Sequence, residues 1–322
     1  MSAPIISVDT LRENIAFEDL IEPVSRALQQ SSAGKAGSGL IVMFPQKDRS
    51  RGDVYVKSGT LEGAPIYIVK VSPWFAENVE TGRSQGGFIA VFDSQTGHTL
   101  ALLDEQHYLS DIRTAAAGAL AARMFAPVDV CSASVIGSGV QAYWQVLALY
   151  HERPFETLRI WGRDNAKAEM LAAKLSSKLG KARIEIDTDL ERTVRTADAL
   201  LTTTLSREPL VRGEWLRAGQ HITAVGADDQ TKCELDVSAL RRARVFVDSV
   251  ESTIGNGDVH RAIQTSDYSS TYLAGEIGDV LAGRVTGRRA SDEITIAKFV
   301  GIGAQDLAAA SLVLTKLNIV KL

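Results

Sequence analysis

Residues Cys131 to Leu149, CSASVIGSGVQAYWQVLAL, constrain the fold more than any other stretch of the chain. Ala133 to Ile136 is a short apolar run of the kind that makes a buried strand. Gly137, Gly139 and Ala142 follow in the pattern G-x-G-x-x-A, and Val140, Trp144, Val146, Leu147 and Tyr150 then recur at helical spacing. Strand, glycine turn and helix in this order are the setting that a dinucleotide fingerprint requires. Gly137 permits the tight turn, Gly139 lets a pyrophosphate approach bare backbone, and Ala142 lets the helix lie close on the strand. Ser138, Val140 and Gln141 complete the turn, where a helix N-terminus offers amide groups to phosphate. A glycine-rich turn of some other α/β protein is the competing reading, and the order of the flanks favours the nucleotide.

The rest of the chain divides around this stretch. From Cys131 onward strands and helices alternate. LRIW (158–161), ARIEI (182–186), ALLTTT (199–204), HITAVG (221–226) and RVFVDS (244–249) are the later strands, with helices over 167–179 and 190–196. Alternation of this kind predicts a doubly wound parallel sheet of the Rossmann type. Residues 40–103 read differently. LIVMF, DVYVKSG, PIYIVKVS, GGFIAVFD and TLALLD are strand candidates with no helices between them, and Gly63–Pro65 and Asp93–Gly97 look like hairpin connections. They predict a smaller α+β domain with an antiparallel sheet. Before it come a strand, IISV, and one helix with Asp9 or Thr10 as its cap and Ile15, Leu20, Ile21, Val24 and Leu28 on its apolar face. Ser31 to Ser38 reads as a loop of small residues. A helix over 110–124 closes the domain. The expected division is 1–125 and 126–304, with a C-terminal helix over 305–322 returning to the first domain.

Composition limits the partners. The chain has 322 residues, of which 45% are hydrophobic and 23% charged, with a formal net charge of −4. That is ordinary for a globular protein and gives no basic footprint for nucleic acid. No apolar run reaches the length of a membrane span, and the N-terminus carries no secretory pattern. Two cysteines make no disulfide framework, and Cys131, beside the first Rossmann strand, reads as a core residue. These features predict a cytoplasmic protein. The five histidines, at 98, 107, 151, 221 and 260, have no metal-ligand spacing, and no G-x-S-x-G elbow suggests a hydrolase.

Candidate cofactor residues follow from the fold. An acid after the second Rossmann strand would bind both ribose hydroxyls of NAD. The chain has Gly162 there and then Arg163, whose guanidinium suits the 2′-phosphate of NADP. Asp164, one step on, keeps NAD open. Thr202, Thr203 and Thr204 end the fourth strand, and Val225 and Gly226 end the fifth, where Rossmann folds place residues against the ribose and nicotinamide. Plain β-propensity also accounts for the threonines.

Three charged residues stand in apolar surroundings. Lys70 lies inside IYIVKVS, Arg113 in the first turn of LSDIRTAAAGALAA, and Asp228 after the fifth strand. Singly they read as a solvent-face lysine, a surface helix cation and a helix cap. Together they suit one chemistry: two cations grip a carboxylate, and an aspartate moves protons at an amino nitrogen.

The runs LDEQHYLSDIRTAAAGALAARMFAP, IGSGVQA, HITAVGADDQTKCELD and EIGDVLAGRVTGRRASDEITIAKFVGIGAQD resemble the ornithine cyclodeaminase/μ-crystallin family. The likeness covers most of the chain from about Asp53, and VKVSPWFAEN, VGADDQTKCELD and G-x-G-x-QD are most similar to its ectoine-utilisation cyclodeaminase-like subgroup. The resemblance implies a Rossmann domain with a dimerisation domain whose sheet joins its partner's. It implies that Lys70 and Arg113 bind the substrate carboxylate and that Asp228 is the catalytic carboxylate, with Lys70 also in the catalytic set. It further implies an NAD(P)-dependent enzyme acting at the α-carbon C–N bond of an amino or imino acid. In the cyclodeaminases NAD takes and returns hydride while ornithine closes to proline and ammonia leaves. Relatives reduce ketimines or act as alanine dehydrogenases, and one is a crystallin that binds NADP. Two departures stand out. Ile41, upstream of Pro45, occupies the place of a further substrate-binding arginine, for which Lys57, Arg49 or Arg51 is the candidate substitute. Gly162-Arg163 replaces an NAD-type acid, which suits a net reductase.

Overall fold

A computed structural model describes residues 3–83 and 85–319, so the last three residues of the expected C-terminal helix lie outside the described chain. It contains two compact units. One holds residues up to Ala116 together with Ile302 onward, and the other holds Ala117–Gly301.

The first unit is built on a six-stranded sheet. Its strands are β1 (Ile5–Ile6), β2 (Ala36–Met43), β3 (Gly52–Leu61), β4 (Ile66–Phe75), β5 (Phe88–Asp93) and β6 (Thr99–Leu103), in the order β1-β6-β5-β4-β3-β2. All neighbours pair antiparallel except β1 with β6. Along β4 the side chains Ile66, Ile68, Lys70 and Ser72 share one buried face, since alternate residues of a strand point the same way. The first helix expected from sequence is in fact two, Val8–Asn14 and Phe17–Ser32. Ser7, not Asp9 or Thr10, caps the first, accepting from the Thr10 amide at 3.3 Å. The chain breaks at Ile15, in extended backbone, and Asp19 accepts the Ala16 amide at 2.9 Å to start the second. The last three residues of the expected small-residue loop, 36–38, already belong to β2.

The second unit is the doubly wound domain. Its strands are β7 (Ser132–Ile136), β8 (Thr157–Trp161), β9 (Arg183–Ile186), β10 (Ala199–Thr202), β11 (His221–Ala224), β12 (Arg244–Val247), β13 (Leu273–Glu276) and β14 (Thr295–Lys298). They form one parallel sheet in the order β13-β12-β14-β11-β10-β7-β8-β9. The order reverses between β7 and β10, the switch point outside which open α/β sheets bind ligands. Alternate residues feed two cores. Ala133, Val135, Leu158 and Ile160 pack with Ala142, Val146 and Leu149 of the helix Val140–Glu152. Leu200, Ile222, Val245 and Ile296 face the other layer. Cys131 is exposed, not a core residue, because it stands before the strand and outside the sheet.

His221 opens β11 wholly inside this unit. Its Nδ1 meets Thr295 Oγ1 and its Nε2 meets Thr223 Oγ1, both at 3.0 Å. Burial, and then the charge of Arg288, holds its pKa down to about 3. An unfolded histidine titrates near 6.5, so between these values the unfolded chain binds a proton that the folded one refuses. The stabilisation is complete above that range and falls with decreasing pH, by about 1.4 kcal/mol per pH unit. Urea unfolding midpoints between pH 7 and 4 should therefore drop less steeply for His221→Gln than for the natural chain; parallel profiles would contradict this.

Candidate active site

In the first unit, two buried cations converge on one carboxylate. Lys70 is 2% exposed and Arg113, from the helix Tyr108–Phe125, is 7% exposed. Lys70 Nζ lies 3.0 Å and Arg113 Nε 2.9 Å from the same oxygen, Oδ1 of Asp306. Arg113 Nη1 also donates to Gln305 Oε1 at 3.0 Å. Both acceptors sit in the first turn of the helix Gly303–Lys316. Gly303 lets that turn reach the sheet: a Cβ there would stand 2.1 Å from the Ser58 carbonyl oxygen, and one on Gly59 would stand 2.4 Å from that of Gly303. Lys57 is directly opposite Lys70 in the β3–β4 register, so both project from the same face. Burial pushes the Asp306 carboxyl up, but Arg113, Lys70 and Lys57 outweigh it and hold it far below the usual carboxylate range. Glu105, fully buried, lies 3.9 Å from Lys70 and accepts from the amide and hydroxyl of Ser110 at 2.8 and 2.7 Å. Lys70, Arg113 and Lys57 thus all act on the Asp306 carboxylate, with Glu105 beside Lys70.

The turn into the helix Tyr108–Phe125 is strained. Gln106 and His107 both take positive φ, 46° and 67°, which side chains with a Cβ rarely adopt. Such strain collects at functional sites. His107 Nε2 donates to the Pro73 carbonyl at 2.8 Å and lies 3.3 Å from Ser72 Oγ. Burial first, and Lys70 second, lower its pKa, so the ring is neutral beside the clamp.

In the second unit the glycine turn has the geometry a dinucleotide needs. Gly137 has φ 124°, and a Cβ on it would come 2.3 Å from Thr203 Oγ1. Around a Cβ on Gly139 there is open space, and no side chain caps the helix that begins at Val140. A bare backbone, an open approach and an uncapped helix N-terminus together fit a pyrophosphate. Ala142 is buried in the helix–sheet contact, whereas Val140 is 55% exposed and Gln141 half-buried. Ser138 and Gly162 are neighbours, with 3.4 Å between Ser138 Oγ and a Cβ on Gly162. Arg163 is exposed and makes no ion pair among the described residues, while Asp164 caps the helix Asn165–Ser176 through the Ala166 and Lys167 amides. Asp164 therefore does local work that competes with a ribose.

The ends of β10 and β11 meet through a buried acid. Thr202 is inside the protein, where its hydroxyl donates to Glu234 Oε2 at 2.8 Å. The Thr204 and Gly226 amides donate to the same carboxylate at 2.5 and 3.0 Å. Thr203 donates its hydroxyl to Ile136. The threonine run thus ties strands together, and Thr203 alone of the three abuts the glycine turn. Val225 continues β11 by donating to the Thr202 carbonyl. Burial and the neighbouring Asp258 push the Glu234 pKa up to about 7. Asp228 follows, its Oδ1 2.6 Å from Lys232 Nζ.

The structure brings Lys57, Lys70 and Arg113 together in one unit, and the glycine turn, Thr203, Thr204, Gly226 and Asp228 lie in the other. Of the three substitutes for the missing arginine, Arg51 is bonded to Glu80 and Arg49 lies over the Phe44 ring, which leaves Lys57 as the one beside the clamp. Ile41 itself is 61% exposed on β2. Sequence reasoning missed Glu105, Gln305, Asp306, Lys232 and Glu234. The signal for Asp306 was a lone acid at the start of an otherwise apolar helix, IGAQDLAAA.

The sequence model of the ornithine cyclodeaminase/mu-crystallin family matches residues 3–319. The chain belongs to that family. It is 40% identical over 293 residues to an uncharacterized cyclodeaminase of Sinorhizobium fredii, a match covering 90% of this chain and 87% of the relative. It is 30% identical to the alanine dehydrogenase of Archaeoglobus fulgidus over 97% of this chain and 94% of that one. Among solved structures, the Delta(1)-pyrroline-2-carboxylate reductase of Thermococcus litoralis, in complex with NADH and L-proline, superposes with a TM-score of 0.91 at 29% identity, covering 98% of this chain and 97% of that one. Membership in the ornithine cyclodeaminase/mu-crystallin family makes the chain an NAD(P)-dependent oxidoreductase or cyclodeaminase. Among the described residues no helix is long and apolar enough to cross a membrane.

Proposed function

We propose that this family member reduces an α-imino acid carrying one carboxylate to the amino acid, with NADPH preferred over NADH. The buried Lys70–Arg113 clamp carries the reading, because two cations converging at one buried place suit the carboxylate that stands next to a C=N bond. A bound nicotinamide supplies hydride to the α-carbon. Lys70 and Arg113 hold the substrate carboxylate, and Lys57 adds attraction from the adjacent strand. Asp228, oriented by Lys232, delivers the proton that the imine nitrogen gains, so that C=N becomes CH–NH. The preference for NADPH rests on Gly162, which has no acid to offer a ribose, on Asp164, which is occupied as a helix cap, and on the exposed Arg163. The domain roles follow: the unit up to Ala116 with Ile302 onward for the substrate, and Ala117–Gly301 for the nucleotide.

Cyclodeamination is the second reading, supported by the 40% identical cyclodeaminase relative. It shares the hydride step but returns the hydride and releases ammonia. Supplying 1-pyrroline-2-carboxylate with NADPH or NADH, and ornithine with NAD, separates the two. The expected result is NADPH consumption with the cyclic imino acid. Arg163→Ala should raise the KM for NADPH by about tenfold while leaving that for NADH unchanged. Ammonia from ornithine without net absorbance change would select the second reading, and silence in every assay would reject both.

The first unit also suggests how copies assemble. β2 is an edge strand, exposed on both faces, with Leu40, Ile41, Val42, Met43 and Phe44 all more than a third exposed. An apolar edge of this length invites pairing. A homodimer in which β2 meets its counterpart covers it. Sedimentation should show a dimer for the natural chain and a monomer for the double variant Ile41→Glu/Val42→Glu; a natural chain that sediments as a monomer contradicts the assignment.

A further inference from the structure

The second unit contains a buried ion pair that the reaction scheme above does not use. Lys298, the last residue of β14, and Asp258, in the helix Gly257–Gln264, lie 2.8 Å apart with side chains fully buried. A lone structural contact at such a place is served as well by apolar side chains, since desolvating a lysine and an aspartate cancels most of their attraction. Their remaining bonds show what the charges hold. Lys298 Nζ donates to the Ala227 carbonyl oxygen at 2.5 Å. Asp258 Oδ1 accepts the amides of Glu234 and Leu235 at 2.6 and 2.9 Å. The Gly257 amide donates to the Asp229 carbonyl oxygen at 2.8 Å. The peptide carbonyls on both sides of Asp228 are therefore fixed from one buried cluster, while Glu234 fixes the Gly226 amide from behind. Gly257 is needed for this fit: with φ 71°, a Cβ on it would lie 2.3 Å from the Ala227 carbonyl oxygen and 3.0 Å from Lys298 Cε.

We propose that Lys298, held by Asp258, is a positioning residue that sets the backbone carrying Asp228, and so the place of its carboxylate during proton transfer. This rests on the assignment of Asp228 to that step. The Asp228 carboxylate, exposed at 38%, is met by Lys232 among the described residues, and the buried pair adds support through the main chain.

The test compares Lys298→Met/Asp258→Asn, which removes both charges and keeps an acceptor for the two amides, with Gly257→Ala, which pushes on the same carbonyl and removes no charge. Each is made alone and on an Asp228→Ala background. Thermal unfolding and NADPH binding report the fold and the cofactor, and hydrogen exchange reports residues 225–231. Turnover of 1-pyrroline-2-carboxylate gives kcat and KM. The expected outcome is a folded protein with NADPH affinity retained, faster exchange confined to 225–231, and kcat lower by about 100-fold at nearly unchanged KM. On the Asp228→Ala background no further loss of kcat is expected, because the brace acts through that residue. Natural exchange and natural kcat in either folded variant would overturn the proposal, and so would losses that multiply with Asp228→Ala. Were Asp228→Ala alone to turn over at the natural rate, the assignment of Asp228 would fall first and the brace with it. Should the charge-free pair fail to fold, Gly257→Ala decides.

Discussion

Asp306→Asn should be the most damaging single substitution outside the glycine turn. Asparagine keeps the shape of the side chain and removes the charge on which Lys70 and Arg113 both close. Glu105, 3.9 Å from Lys70, would remain as a carboxylate beside that lysine. Stripping one partner from a buried charge cluster costs about 3–5 kcal/mol, because the desolvated cations remain. Activity should fall as well, since Arg113 loses the negative charge that aims its guanidinium. Urea unfolding and kcat/KM for the imino acid measure the two effects. Adding Lys57→Met should return part of the lost stability, as it removes one of the cations that act on the Asp306 carboxylate. An Asp306→Asn protein as stable as the natural one would show that the carboxylate is not what holds the clamp.

The second large effect separates two glycines that look equivalent in sequence. Gly137→Ala puts a Cβ within 2.3 Å of Thr203 Oγ1 and 3.1 Å of the Thr203 carbonyl oxygen, at φ 124°. Backbone strain of this kind costs on the order of 1–3 kcal/mol before any clash. The variant should lose stability and cofactor binding together. Gly139→Ala meets no atom within 4 Å, and its φ of −84° suits alanine. It should fold normally and still bind NADPH poorly, because its methyl group occupies the approach of the pyrophosphate. Calorimetric titration with NADPH beside thermal unfolding tests both. Equal cofactor affinity in Gly139→Ala and the natural chain would remove the phosphate from that turn.

Much of this architecture was legible because local pattern and global position agree. The order strand, G-x-G-x-x-A, helix has one common use, and the alternation after it has one common sheet. The period-two runs between Leu40 and Leu103 marked a helix-free sheet. What escaped has physical causes. β14 was hidden because a lysine interrupts the apolar run ITIAKFV; in the fold Lys298 is neutralised by Asp258, which no local pattern reveals. β13 is short and runs into a helix, so neither period develops. Lys70 was ambiguous because Tyr67, Val69 and Val71 are as apolar as Ile66 and Ile68, and alternation could not name the buried face. The residue that completes the clamp, Asp306, is 193 positions from Arg113. Separation on that scale leaves no trace in spacing, and only the motif near the C-terminus pointed toward it. Asp164 shows the opposite failure: a residue at a functional place taken up by capping.

β14 enters the sheet between β11 and β12, although it is the last strand to be made. The helix Gly303–Lys316, later still, packs on the helix Phe17–Ser32 and on β3. A chain emerging from the ribosome therefore carries two unfinished halves until β14 is made. One half has an open slot at the middle of its sheet, and the other lacks the aspartate that neutralises its lysines. Each half therefore waits on an element made late, the second on β14 and the first on the helix after it, so a chain cut between Val247 and Thr295 would leave both incomplete.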